Sequence, residues 1–388
     1  MRKGCFVRRC FKFIIFILLF AVFTVAFSMP SSAQSLSQNV NGEEWQNFYE
    51  NVPPEAFDYF PDDAFDDAES YSSAINEMTS PKYIVSMVLN MLGVELAETL
   101  KLLFLIIGVV IISATISSAS KTAENPTMRT VMRYCSLGAV FASVMYVFYE
   151  HFARLEGFFE RISAFFAGMI PITASVWALG GNVTTASAGS ATLYCFLTVF
   201  EGLWASSAIP VCTLIIMLGF CDVLCSELKT CRVVGSVKKI YGFFLGISMT
   251  VLLSSLAAQT TLTAVADSVA ARTGRLVTST VIPVVGGNIG EALRTVASSV
   301  TYMKSIFGIG GILIIALLVL PMVFTVLLTR FAFGIGAAFA DILGCEDESK
   351  LLSVFSEAYG SVLAVVTGVG LMFVLALCIF MKTVVAVA

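Results

Sequence analysis

The chain has little of what most enzymes work with. It holds a single histidine, His151, and only 13% of its 388 residues are charged. It has no G-x-x-x-x-G-K-[ST], H-E-x-x-H or G-x-S-x-G run, so the phosphate loop, the zinc-protease helix and the nucleophile elbow are excluded. His151 falls beside Arg154, Glu156, Glu160 and Arg161 and reads as a solvent-titrating loop histidine rather than a general base. The expectation is a non-enzyme with no cofactor and no metal site. A net charge of −4, with base confined to short loops, gives no case for nucleic acid as a partner.

Cysteine is present but not in a form that implies disulfides. Of the ten, Cys135, Cys195, Cys212 and Cys378 lie in apolar runs, where a thiol behaves as a small hydrophobe. Cys221, Cys225 and Cys231 cluster near one membrane edge, but without a histidine or a C-x-x-C soft-metal binding there is the weaker reading.

What the chain does have is apolar length. Hydrophobic residues make up 57% and the mean hydropathy is +0.89, which predicts an all-α polytopic membrane protein. Arg8, Arg9 and Lys12 precede an apolar run from Phe13 to Phe27 and then Ser31-Ser32-Ala33. This is the layout of a signal peptide over 1–33, cleaved after Ala33; the alternative is an uncleaved anchor helix. Residues 34–80 are acidic and aromatic, and are expected to form a disordered extracytoplasmic spacer or a strip for a partner, with Phe57, Tyr59, Phe60 and Phe65 among the carboxylates. Residues 81–101 read as an amphipathic helix, with Ile84, Val88, Met91, Leu92 and Leu96 on one face, lying on the outer interface or packed on the bundle.

The transmembrane domain, 102–388, is expected to hold seven to nine spans, near 102–120, 134–149, 162–180, 191–208, 210–225, 240–258, 306–328, 331–344 and 357–381, the eighth being short and 191–225 reading alternatively as one bent helix. Lys121, Arg129 and Arg133, then Lys229, Arg232, Lys238 and Lys239, and finally Arg330 and Lys382 fall at turns. Placing them inside puts residues 34–101 outside and the C-terminus in the cytoplasm.

Two stretches share a layout that suggests an internal repeat over about 162–225 and 276–344. The first has Pro171, Gly180-Gly181-Asn182, Pro210 and Asp222; the second has Pro283, Gly286-Gly287-Asn288, Pro321 and Asp341. The late copy also carries Glu291 and the group Gly308, Gly310 and Gly311. Broken backbone survives in hydrocarbon only inside protein or along a polar cavity, so this copy is predicted to be re-entrant or discontinuous. Its glycines are expected to be close-approach positions, as are Gly242 and Gly246, while Gly368 and Gly370 in the last helix should matter less. Glu201 lies within an apolar run, where a carboxyl must face a cavity or relay, or an interhelical hydrogen bond.

The run Ile282-Pro283-Val-Val-Gly286-Gly287 through Glu291-Ala-Leu-Arg-Thr-Val, then Lys304-Ser-Ile-Phe-Gly308-Ile-Gly310-Gly311, Pro321 and Arg330, resembles the stage III sporulation protein AE family. The family implies a non-enzymatic mother-cell membrane subunit of the channel-like transport or secretion complex around the forespore. Its partners would be the other stage III A-operon proteins and stage II sporulation protein Q. The family commonly places a proline before its Gly-Asp near the end of this region, where this chain reads Phe339-Ala340-Asp341, so no role is carried over to Asp341. From the residues alone, an autonomous solute permease and a scaffold for partners stay open as alternatives.

Overall fold

The computed structural model describes residues 49–50, 52–57, 59–61, 64–66, 68–122, 125–182, 185–225, 230–281 and 286–382. The expected signal peptide, residues 34–48 and Pro283 lie outside the described residues. Among those described there is no strand: after a helical turn at Pro54–Phe57 come α1 (Ala68–Met78), α2 (Pro81–Thr122), α3 (Pro126–Leu179), α4 (Ser190–Leu224), α5 (Cys231–Val281), α6 (Gly286–Ile342) and α7 (Glu346–Lys382). Hydrocarbon cannot satisfy backbone polar groups, so apolar sequence of this kind closes its hydrogen bonds within helices.

The helices α2 to α7 are six candidate membrane spans, and the protein is a multi-pass membrane protein. That number is below the expected seven to nine because three pairs of predicted spans fuse. Residues 134–149 and 162–180 share α3, 191–208 and 210–225 share α4, and 306–328 and 331–344 share α6. Pro171, Pro210 and Pro321 all lie inside helices; membrane helices tolerate proline because neighbouring helices and side chains re-satisfy the freed group. The true stops are chemical. Asn125 Oδ1 accepts from Thr127 N at 3.0 Å and a proline opens the first turn of α3. Gly181 (φ 76°) ends that helix, and Gly344 (φ 74°) turns α6 into α7, both in the left-handed region that favours glycine.

Length has a consequence too. The 54 residues of α3 and 57 of α6 span about 80 Å at ~1.5 Å per residue, far more than a ~30 Å hydrocarbon core needs. These helices therefore run well beyond the bilayer or cross it tilted.

The antiparallel pair α6 and α7 is the axis of the molecule. Within its most apolar stretch α6 is 72% buried, against 22% for α2 and 28% for α5, so α2 and α5 are peripheral. α2 lies on α6, α4 on α7, α5 on α4, and α3 touches α2, α4 and α6. Small residues set these approaches. A Cβ at Gly311 would stand 2.8 Å from Leu377 and 3.2 Å from Met169, one at Gly308 would strike Met381, and one at Gly219 would strike Val354. The last helix is packed just as closely: a Cβ at Gly370 would lie 2.7 Å from Val319, and one at Gly368 would strike the Trp204 ring. Gly368 and Gly370 are thus not the lenient positions expected, because α7 is a central helix. Gly242 and Gly246, expected at a contact, have nothing within 4 Å, because α5 is peripheral.

Three further expectations are corrected. Residues 308–311 do not break or re-enter, since α6 runs unbroken from Gly286 to Ile342. The helix over 81–101 does not lie flat on the interface but continues into the first span as the 42-residue α2, its Met87 and Met91 buried in the core. Nor is the acidic segment, from Tyr49 on, a disordered spacer. Val52, Ala56, Phe60, Phe65, Tyr71, Ile75 and Met78 are buried, Phe65 packs at 4.8 Å from both Phe57 and Phe60, and the Tyr83 hydroxyl donates to Tyr59 O at 2.6 Å. These aromatics cap the N-terminal half of α6, where Gly310 leaves room for the Tyr71 hydroxyl and Ile75.

Candidate functional site: an acidic cleft between α3 and α4

Phe159, Glu160, Ser163, Ala164 and Ala167 recur along one side of α3 at helical spacing, and Tyr194 and Glu201 stand two turns apart on α4. Together they line an open cleft of about 450 Å³. Alanine at 164 and 167 leaves the volume unfilled. Glu201 is only 6% exposed, and the Ser163 hydroxyl lines the cleft beside it. The next turn of α4 is tied down: Trp204 Nε1 donates to Ser248 Oγ at 2.7 Å, and Ser207 meets the Tyr241 hydroxyl at 3.1 Å. Glu201 is therefore positioned by a helix held rigidly against α5.

A second polar layer joins other helices. Arg154 binds Glu98 of α2 at 2.7 Å and Glu150 at 3.0 Å, and Glu95 accepts from Thr325 of α6 at 2.6 Å. His151, expected in a solvent loop, lies inside α3, with Nδ1 3.0 Å from the Tyr359 hydroxyl; the loop reading fails because the charged 150–161 stretch is helix. Arg330, expected at a turn, is interior to α6, and a Cβ at Gly360 would come within 3.1 Å of its guanidinium. The chain thus leaves a glycine where a large cation must fit. Near one end of the bundle Glu348 is buried, taking hydrogen bonds from Ser113 (2.5 Å) and Ser136 (3.3 Å).

Of the sequence candidates, Glu201 alone lines the cleft. Pro171 and Pro210 are interior to α3 and α4, and Gly180 and Gly181 form the turn after α3, where Asn182 N donates to Trp177 O at 2.9 Å. Gly286 and Gly287 open α6, with Glu291 in its second turn; the Glu291 side chain lies outside the described residues. Gly308, Gly310, Gly311 and Pro321 are inside α6, the glycines gathered under α1 and α7. Sequence reasoning missed Ser163 and Tyr194, since a serine and a tyrosine in membrane helices carry no signal until the facing helix is known. Glu160 was visible only as part of a charged run.

Lys304, in the N-terminal half of α6, is buried.

The family model for stage III sporulation protein AE matches residues 68–384, from the first residue of α1 to just past the end of α7. The chain belongs to that family. A curated relative, stage III sporulation protein AE of Bacillus subtilis (strain 168), is 24% identical over 220 residues, which is 57% of this chain and 55% of that protein. The matched part thus spans about half the length of that relative. No solved structure matches the chain.

Proposed function

We propose that this protein is a non-enzymatic, multi-pass subunit of the channel-like transport or secretion complex between mother cell and forespore, required for endospore formation and seated in the mother-cell membrane. The other stage III A-operon proteins and stage II sporulation protein Q are its proposed partners. The observation that carries this reading is membership of the sporulation family across all seven helices. Tight packing of α6 and α7 through Gly308, Gly311 and Gly370 supports a rigid subunit rather than a rocking carrier. A second reading, an autonomous permease, is favoured by one observation only, the buried carboxyl of Glu201 in an open cleft. Affinity purification from sporulating cells, followed by solute flux through the purified chain in liposomes, separates the two. The subunit reading expects co-purified stage III proteins and no flux from the chain alone; flux without partners would overturn it.

A further inference from the structure

We infer that the cleft between α3 and α4 binds the primary ammonium group of an amphiphilic amine. Two carboxyls, Glu160 and Glu201, line it together with the hydroxyl side chains of Ser163 and Tyr194, and no lysine or arginine is among the described residues that line it. Glu201 sits 6% exposed in a strongly apolar helix, a setting in which a carboxylate calls for a cationic or hydrogen-bonding partner. A carboxylate offers about four acceptor positions, of which the neighbouring Ser163 hydroxyl can fill at most one. An ammonium group with three N–H donors complements what remains.

Size selects the body of the ligand. A volume of about 450 Å³ is that of a site for an organic molecule and far exceeds a bare ion. Its other walls, Phe159, Ala164 and Ala167, suit an alkyl chain. A quaternary ammonium could not donate to these oxygens, and secondary and tertiary ones bring fewer than three N–H donors, so a primary amine is the best match. Such a group comes either from an aminoethyl phospholipid or from a free alkylamine.

The test uses the full chain in nanodiscs, without partners, so failure here leaves the sporulation reading untouched. A photoactivatable aminoethyl phospholipid is compared with its choline counterpart bearing the same acyl chains, and a photoactivatable alkylamine forms a second arm. Crosslinks are mapped by mass spectrometry, and thermal unfolding checks that each variant is folded. Capture on 159–167 or 194–201 is expected at about tenfold over the choline lipid, the ratio equivalent to one charged contact. Glu201→Gln is expected to remove that preference; Ser163→Ala, which keeps both charges, is the second variant and should lower it. Capture in the lipid arm identifies a lipid source and capture only in the alkylamine arm a free amine, and either upholds the site. Equal capture of the choline lipid, or an unchanged preference in Glu201→Gln and Ser163→Ala, overturns it.

Discussion

Glu348 shows how much one side chain can hold. Its carboxyl ties α7 to α2 through Ser113 and to α3 through Ser136, while its neighbour Asp347 binds Arg133 of α3 at 2.6 Å. Truncating it leaves two hydroxyls in a buried site, so Glu348→Ala should cost roughly 1–3 kcal/mol, read as a lower thermal midpoint in detergent, with Glu348→Gln milder.

At the scale of the element, α1 and the aromatic turn before it form a cap that only glycine admits. Gly310→Leu would drive a side chain into Tyr71 and Ile75, and overpacking of this kind commonly costs 1–3 kcal/mol. The expected result is release of α1, seen as faster proteolysis within residues 49–80 while α2 to α7 stay intact. Gly368→Leu, against Trp204, should lower the midpoint of the whole bundle, whereas Gly242→Leu, with nothing within 4 Å, should leave it unchanged. Equal effects of all three would refute the packing account. The elements themselves were read correctly as helices, but their ends were not. Only Pro210 was taken for a span boundary, and it lies inside α4; the ends are made instead by Asn125, Gly181 and Gly344.

At the scale of the whole molecule, fusing the predicted spans changes the topology. Met381 of α7 packs at Gly308 and Tyr71 of α1 at Gly310, so the C-terminal end of α7 lies at the same end of the bundle as the cap. The sequence reading put residues 34–101 outside and the C-terminus inside; six crossings in place of nine predict instead that the two share a side. Placing the basic loops 121–133 and 226–239 inside then puts Lys382 outside. Single cysteines at Asp66, Asn125 and Lys382, in a background without native cysteines, check this. A membrane-impermeant thiol reagent on intact cells should label the first and third only; labelling of 125 with protection of 382 would overturn the arrangement.

Composition and periodicity alone determined that the chain is helical and membrane-embedded, because apolar runs of such length have no other stable backbone solution. The family resemblance was legible in the 282–330 stretch for the same local reason, as a string of residues. Glu201 stood out because a carboxyl in an apolar run is conspicuous wherever the run goes. Which helices face each other was not local information. Only the tertiary structure decided that Ser163 and Tyr194 join Glu201 in a cleft, that Gly368 is as crowded as Gly310, and that the acidic aromatic segment folds back on α6. Each depends on the close approach of residues far apart in the chain, and close approach is set by which side chains are missing at the contact, a property of pairs of helices rather than of either sequence alone.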